Sequence, residues 1–205
     1  MDELTVEPAS ATEESRRSIV LKSRQQAAPI VEELHALGIP LWDLGELGNV
    51  RVAYPEAVPV LVKHLATDLP DDISLAIVHA LAKPYGRVAF TALCDFLKRR
   101  AKTLPRTALF AVGAALVENA ERSDLPYLFD VLNHSIYSLA REPVALRIAR
   151  WRNDADIEAA LVGYLRDGES PWTAIRALRL AKAWSAVDHV QRYAASDNAE
   201  LRSEA

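Results

Sequence analysis

The chain has 205 residues, half of them hydrophobic, with 7 glycines, 1 cysteine and a formal net charge of −4. That length and apolar content can support a sizeable core, the scarcity of glycine favours helix, and the lone Cys94 excludes an intrachain disulfide or a cysteine-rich zinc site. The acidic balance argues against a protein dedicated to holding nucleic acid, because phosphates require clustered Lys and Arg, and no window approaches the roughly 18 continuous apolar residues of a membrane span.

Residues 1–12 are polar and acidic and lack the apolar stretch of a signal peptide, so they are expected to form a disordered tail on a cytoplasmic protein. A helical N-terminal cap and connector is expected over 13–55. Its first part carries Ile19, Val20, Ile30, Val31, Leu34 and Leu37 in a helical pattern, and Pro29 predicts a kink or a break in it. Gly38 and Pro40 stop that pattern. Gly45, Gly48 and Pro55 then mark a connector with one short helical turn over 42–47, around Trp42.

From 56 onward a leucine pair recurs. Leu61/Leu65, Leu93/Leu97, Leu128/Leu132 and Leu161/Leu165 are separated by 32, 35 and 33 residues, and a weaker copy centres on Val190. A period of this size predicts a solenoid of helical hairpins over 56–205, in which each pair buries its apolar face only by stacking on its neighbours. First helices are expected over 56–67, 86–101, 123–133 and 154–166 and from 186. Second helices are expected from 71 or 72 to near Pro84, over 105–119, 136–151 and 170–184, and from 197. Asp71, Asp72 and Ser170 are candidate caps, Pro105 and Pro171 suit a first helical turn, and Pro143 marks a kink or a late start. Gly168 ends a helix. The nine residues from Asp197 make only about two helical turns, which reads as a polar cap or an assembly edge.

Asp197-Asn198-Ala199-Glu200-Leu201-Arg202-Ser203-Glu204-Ala205 resembles the D-x-x-x-V-R-x-x-A segment that opens the second helix of a HEAT repeat. Leu146-Arg147 and Ile175-Arg176 fall at matching places, and Pro59 and Pro126 match the proline often seen early in the first helix. The first two repeats lack the Arg and carry Ile77-Val78 and Leu109-Phe110 instead. Leu37-Gly38-Ile39-Pro40-Leu41-Trp42-Asp43-Leu44, followed by Tyr54-Pro55-Glu56-Ala57-Val58-Pro59-Val60-Leu61, is similar to the opening of bacterial HEAT-repeat proteins of uncharacterised function. The resemblance implies an all-α, right-handed HEAT-like superhelix of about four to five hairpins. It implies a scaffold that binds a protein partner on its concave face, and it brings no catalytic residue, cofactor or metal. An adaptor or a toxin-immunity protein fits such a scaffold. The resemblance further implies an internal ladder in which Arg147, Arg176 and Arg202 bond an aspartate of the adjacent repeat, with Asp167 and Asp197 placed to serve.

The candidate partner-binding residues lie on the last second helices: Arg147, Arg150, Trp151, Trp172, Arg176, Arg179, Lys182 and Trp184, with Arg152 beside them. Spacings of three and four bring Arg176, Arg179 and Lys182 towards one helix face, and Arg147, Arg150 and Trp151 towards another. Such a basic, aromatic-edged surface suits an acidic protein segment, and Trp and Arg carry much of the energy at interfaces. The alternative is structural, with tryptophans packed between repeats and arginines in ion pairs; 141–184 holds eight bases and six acids, so the excess of charge is small. Two further functions compete. One is a nucleic-acid-binding or DNA-glycosylase-like module, which needs an isolated aspartate beside Trp151 or Trp184. The other is a structural module that self-assembles through the unfinished fifth repeat, whereas a monomer or weak dimer is the state expected of a scaffold. Lys98-Arg99-Arg100-Ala101-Lys102 closes a helix, where the dipole favours cations. Asp130 and His134 are four apart, but two ligands do not make a metal site. No glycine-rich phosphate loop and no Gly-x-Ser-x-Gly elbow is present.

Overall fold

The computed structural model describes residues 9–49 and 52–204, with side chains from 18 onward except 19 and 204. The chain is all-α: every regular element among the described residues is helical. It divides into two compact units, Met1–Ala80 and Leu81–Ala205.

The first unit contains α1 (Ala9–Ala36), α2 (Glu46–Asn49), α3 (Val58–Leu65) and α4 (Asp71–Ala80). α1 starts inside the stretch expected to be a disordered tail, of which residues 1–8 lie outside the described residues. It also runs through Pro29, so the break expected there as one of two alternatives does not occur. Ala27 on one side of that proline and Ile30 and Leu34 on the other are all buried, so a single packed stripe holds the helix across the missing N–H. Gly38 ends α1 as expected. At φ +78° it lets its N–H reach the His35 carbonyl and the Ile39 N–H reach the Leu34 carbonyl. The connector is part of the core, because Leu41, Leu44 and Leu47 are buried, and its regular helix lies slightly later than expected, at 46–49. α3 packs on α1 and α4 and is pinned to α1 by Glu33, which pairs with Lys63 and His64.

The second unit contains α5 (Arg87–Arg100), α6 (Arg106–Glu118), α7 (Leu125–Asn133), α8 (Arg141–Ile148), α9 (Ala155–Asp167), α10 (Pro171–Ala181), α11 (Val187–Ala194) and α12 (Ala199–Glu204). Helices adjacent in sequence pair as α5 with α6, α7 with α8, α9 with α10 and α11 with α12. The second members also meet one another, α6 on α8, α8 on α10 and α10 on α12. The three leucine pairs of this unit are all fully buried, which is why the sequence repeats them.

Several local expectations shift. Pro105 precedes the first turn of α6 and does not sit in it. Residues 135–140 form a 3-10 segment with Ser138 at φ 39°, so α8 starts late, at Arg141, with Pro143 in its first turn. α6 approaches this segment closely: a Cβ at Gly113 would lie 2.5 Å from the Ala140 carbonyl oxygen. Ser170 does not cap α10, because its hydroxyl donates to Glu142 at 2.5 Å.

Candidate functional site

α10 is sharply two-sided. Ala174, Ile175, Ala177, Leu178 and Ala181 face the core, while Arg176 and Arg179 face out. Pro171 suits its first turn, where a missing N–H costs nothing. At its other end Lys182 adopts the left-handed conformation, φ 58°, and its N–H reaches the Arg179 carbonyl while Ala183 reaches that of Leu178. Glycine is the usual occupant of this cap, and a side chain there costs roughly 1–2 kcal/mol. The strained residue lines three of the depressions around it.

One depression is an open groove of about 570 Å³ between the end of α8 and α10. Arg150, Arg152, Arg176, Arg179 and Lys182 line it with Leu146 and Leu180. The Arg152 side chain bridges the two sides, donating to the Leu180 carbonyl at 3.1 Å. The Trp172 ring lies against the Arg176 guanidinium, 5.1 Å from centroid to carbon, an arrangement that restrains this arginine. Like charges gathered in a concave wall focus a positive field and draw anions to it.

Four of the eight residues selected from sequence therefore line one groove: Arg150, Arg176, Arg179 and Lys182. The other four are distributed around it. Trp172 supports Arg176 from outside the lining. Trp184, 77% exposed, lines an adjoining apolar pocket of about 140 Å³. Trp151 lines a third depression of about 170 Å³, again next to Lys182. Arg147 is structural: it is half-buried, donates to the Ala120 carbonyl at 3.1 Å and stacks over Trp151.

The ladder implied by the HEAT resemblance takes a different form. Asp167 pairs at 2.5 Å with Arg141, not with Arg176, and Arg202 donates to the carbonyls of Ser196 and Asp197 in its own turn. Arg141 is a buried charge of this unit, 1% exposed. It donates to the Leu132 carbonyl at 2.8 Å and to Glu169 at 2.8 Å, and it lies over the Tyr164 ring. Its one sequence signal is a base in the first turn of a helix, where the dipole opposes it and a carboxylate partner is required.

Asp154 and Glu158 line the third depression with Trp151. Asp154 caps α9 by accepting from the Asp156 and Ile157 N–H groups, and it pairs with Arg122 at 2.8 Å. The Ile157 N–H, followed by the Arg122 side chain, holds its carboxyl below the usual carboxylate range, offset in part by desolvation. Cys94 is buried, and that burial pushes its thiol up to about 12. His134 folds back on the Asp130 carbonyl at 2.8 Å at the end of α7. Among the described residues no cluster of His, Cys, Asp or Glu is arranged to hold a metal ion, and no helix is long and apolar enough to cross a membrane.

The first unit has a cleft of its own, about 600 Å³, lined by Val20, Ala27, Val31, Leu44 and Ile73 with Trp42 at its mouth. Trp42 is 91% exposed. Sequence reasoning placed this tryptophan in a connector; its signal was a lone aromatic among glycines and prolines. No protein-family model matches the chain, and no curated protein or solved structure matches it.

Proposed function

We propose that the protein is a non-catalytic binding module whose groove between α8 and α10 takes an acidic segment of a protein partner. The observation that carries this reading is the gathering of five cations, Arg150, Arg152, Arg176, Arg179 and Lys182, around one open groove. The charge distribution supports it. Residues 81–205 hold 18 Lys and Arg against 15 Asp and Glu, net +3, whereas residues 1–80 hold 6 against 13, net −7. The acidity of the whole chain thus conceals a unit of opposite sign.

We read the hairpins of residues 81–205 as HEAT-like repeats, with second helices forming the binding side. The buried leucine pairs and the contacts from each second helix to the next support that reading. An adaptor or immunity role in the cytoplasm fits it. A nucleic-acid backbone is the second reading, favoured by the tryptophans beside the basic groove, on which bases stack in single-strand binders. It ranks lower because single-strand binders track about 4–16 nucleotides along a basic groove, while these bases form one compact cluster, Arg176 and Arg179 on α10 and the other three just past the ends of α8 and α10. Glycosylase-like chemistry has less support still, since Asp154 is already engaged by two N–H groups and Arg122. Self-assembly through the last repeat draws support from α11, which buries none of its residues.

The test is affinity capture of the tagged protein from its native lysate, with and without nuclease, beside an Arg150→Glu/Arg179→Glu variant. One stoichiometric protein, retained after nuclease and lost in the variant, is expected. Capture through nucleic acid alone puts the second reading first. A concentration-dependent mass that disappears on trimming 196–205 puts self-assembly first.

A further inference from the structure

The basic groove has an apolar neighbour. Leu178, Trp184, Val187 and Val190 line the adjoining pocket, and Arg179 and Lys182 belong to both depressions. Its volume of about 140 Å³ is close to that of a dry protein cavity able to hold one benzene ring, about 150 Å³. Trp184 and Val187 are exposed, so this apolar wall faces solvent. From this juxtaposition we infer that the ligand is a carboxylate-rich peptide with a single bulky apolar anchor, phenylalanine or leucine in size, next to its acidic residues. The inference rests on the proposed acidic-segment binding and specifies it.

The anchor fills the pocket against Trp184, and the flanking carboxylates meet Arg179 and Lys182 at the shared edge. Electrostatics supply orientation and rate, and the desolvated aromatic supplies a large part of the affinity. A nucleobase is the competing occupant, because Gln191, Arg179 and Lys182 also line the pocket and offer donors to its polar edge, and the oligothymidylate probe tests it.

The test is fluorescence anisotropy on the full chain with labelled probes: consecutive glutamates ending in phenylalanine, the same peptide ending in alanine, and an oligothymidylate of equal length. The phenylalanine probe is expected to bind about tenfold or more tightly than the alanine probe, from burial of one side chain. Trp184→Ala and, independently, Val190→Asp should reduce it to the level of the alanine probe, with circular dichroism unchanged, while Arg150→Glu weakens both peptides. Equal binding of the two peptides overturns the anchor and leaves the acidic-segment reading standing. A phenylalanine advantage that survives both pocket variants overturns the pocket assignment. Failure of both peptides, with or without binding of the oligonucleotide, overturns the reading on which the inference rests.

Discussion

Arg141 organises more of its unit than any residue of the exposed groove. It bonds a carbonyl of α7, two carboxylates that follow α9 in sequence or end it, and the face of Tyr164. Removing one partner of a fully buried pair costs about 3–5 kcal/mol. Asp167 and Glu169 reach solvent and can rehydrate, so Arg141→Leu is expected to cost less, about 2–3 kcal/mol, in urea unfolding at constant m. Arg141→Lys should recover only part, because an ammonium cannot reproduce the guanidinium fork. Gly113→Ala is expected to destabilise by about 1–3 kcal/mol through overpacking against Ala140 and Pro143, read as a lower Tm. Burial raises Cys94 from 9.0 to about 12 and Tyr164 from 10.0 to about 12. The unfolded chain therefore loses these protons first. Their stabilising contribution is complete below pH 9 and is lost between about 9 and about 12, a fall that thermal melts across this range should show. Cys94→Ala should make that fall shallower.

Among the elements, helices with a clean apolar stripe were legible and their ends less so. α5, α6, α9 and α10 lie close to the spans that periodicity predicts, because the stripe is a local property of the chain. Pro29 left two outcomes open, and of these the break into two helices does not occur, because burial on both its flanks holds one helix. Ser170 misleads because Glu142, remote in sequence, competes for its hydroxyl. Lys182 permits a sharp test. Lys182→Gly removes the left-handed strain and should stabilise α10 by about 1 kcal/mol while weakening binding of an acidic peptide. A variant that is both more stable and equally tight-binding would remove Lys182 from the site. At the start of α9, Asp154→Ala should lower Tm more than Asp154→Asn, since asparagine keeps the cap and loses only the Arg122 pairing.

At the scale of the molecule, the division near Ala80 separates an acidic unit from a basic one. Residues 81–205 contain their own buried leucines, hairpins and buried arginine network, and are expected to fold alone as a helical, cooperatively melting unit. Circular dichroism and a melt of that fragment check this. Helicity, the buried leucine pairs and the basic character of α8 and α10 were determined by the sequence alone, since each depends on residue type and on spacings of three, four and about thirty-three. Which arginine is buried, which tryptophan lines a pocket and which aspartate is already engaged were decided only by tertiary structure. Arg141 and Arg147 are six residues apart on or near one helix, and nothing in their spacing says that the first meets Asp167 while the second reaches the Ala120 carbonyl. The physical reason is range: burial follows local periodicity, whereas charge partners depend on how helices 26 to 28 residues apart come into phase, and a shift of one residue turns a side chain about 100° around its helix.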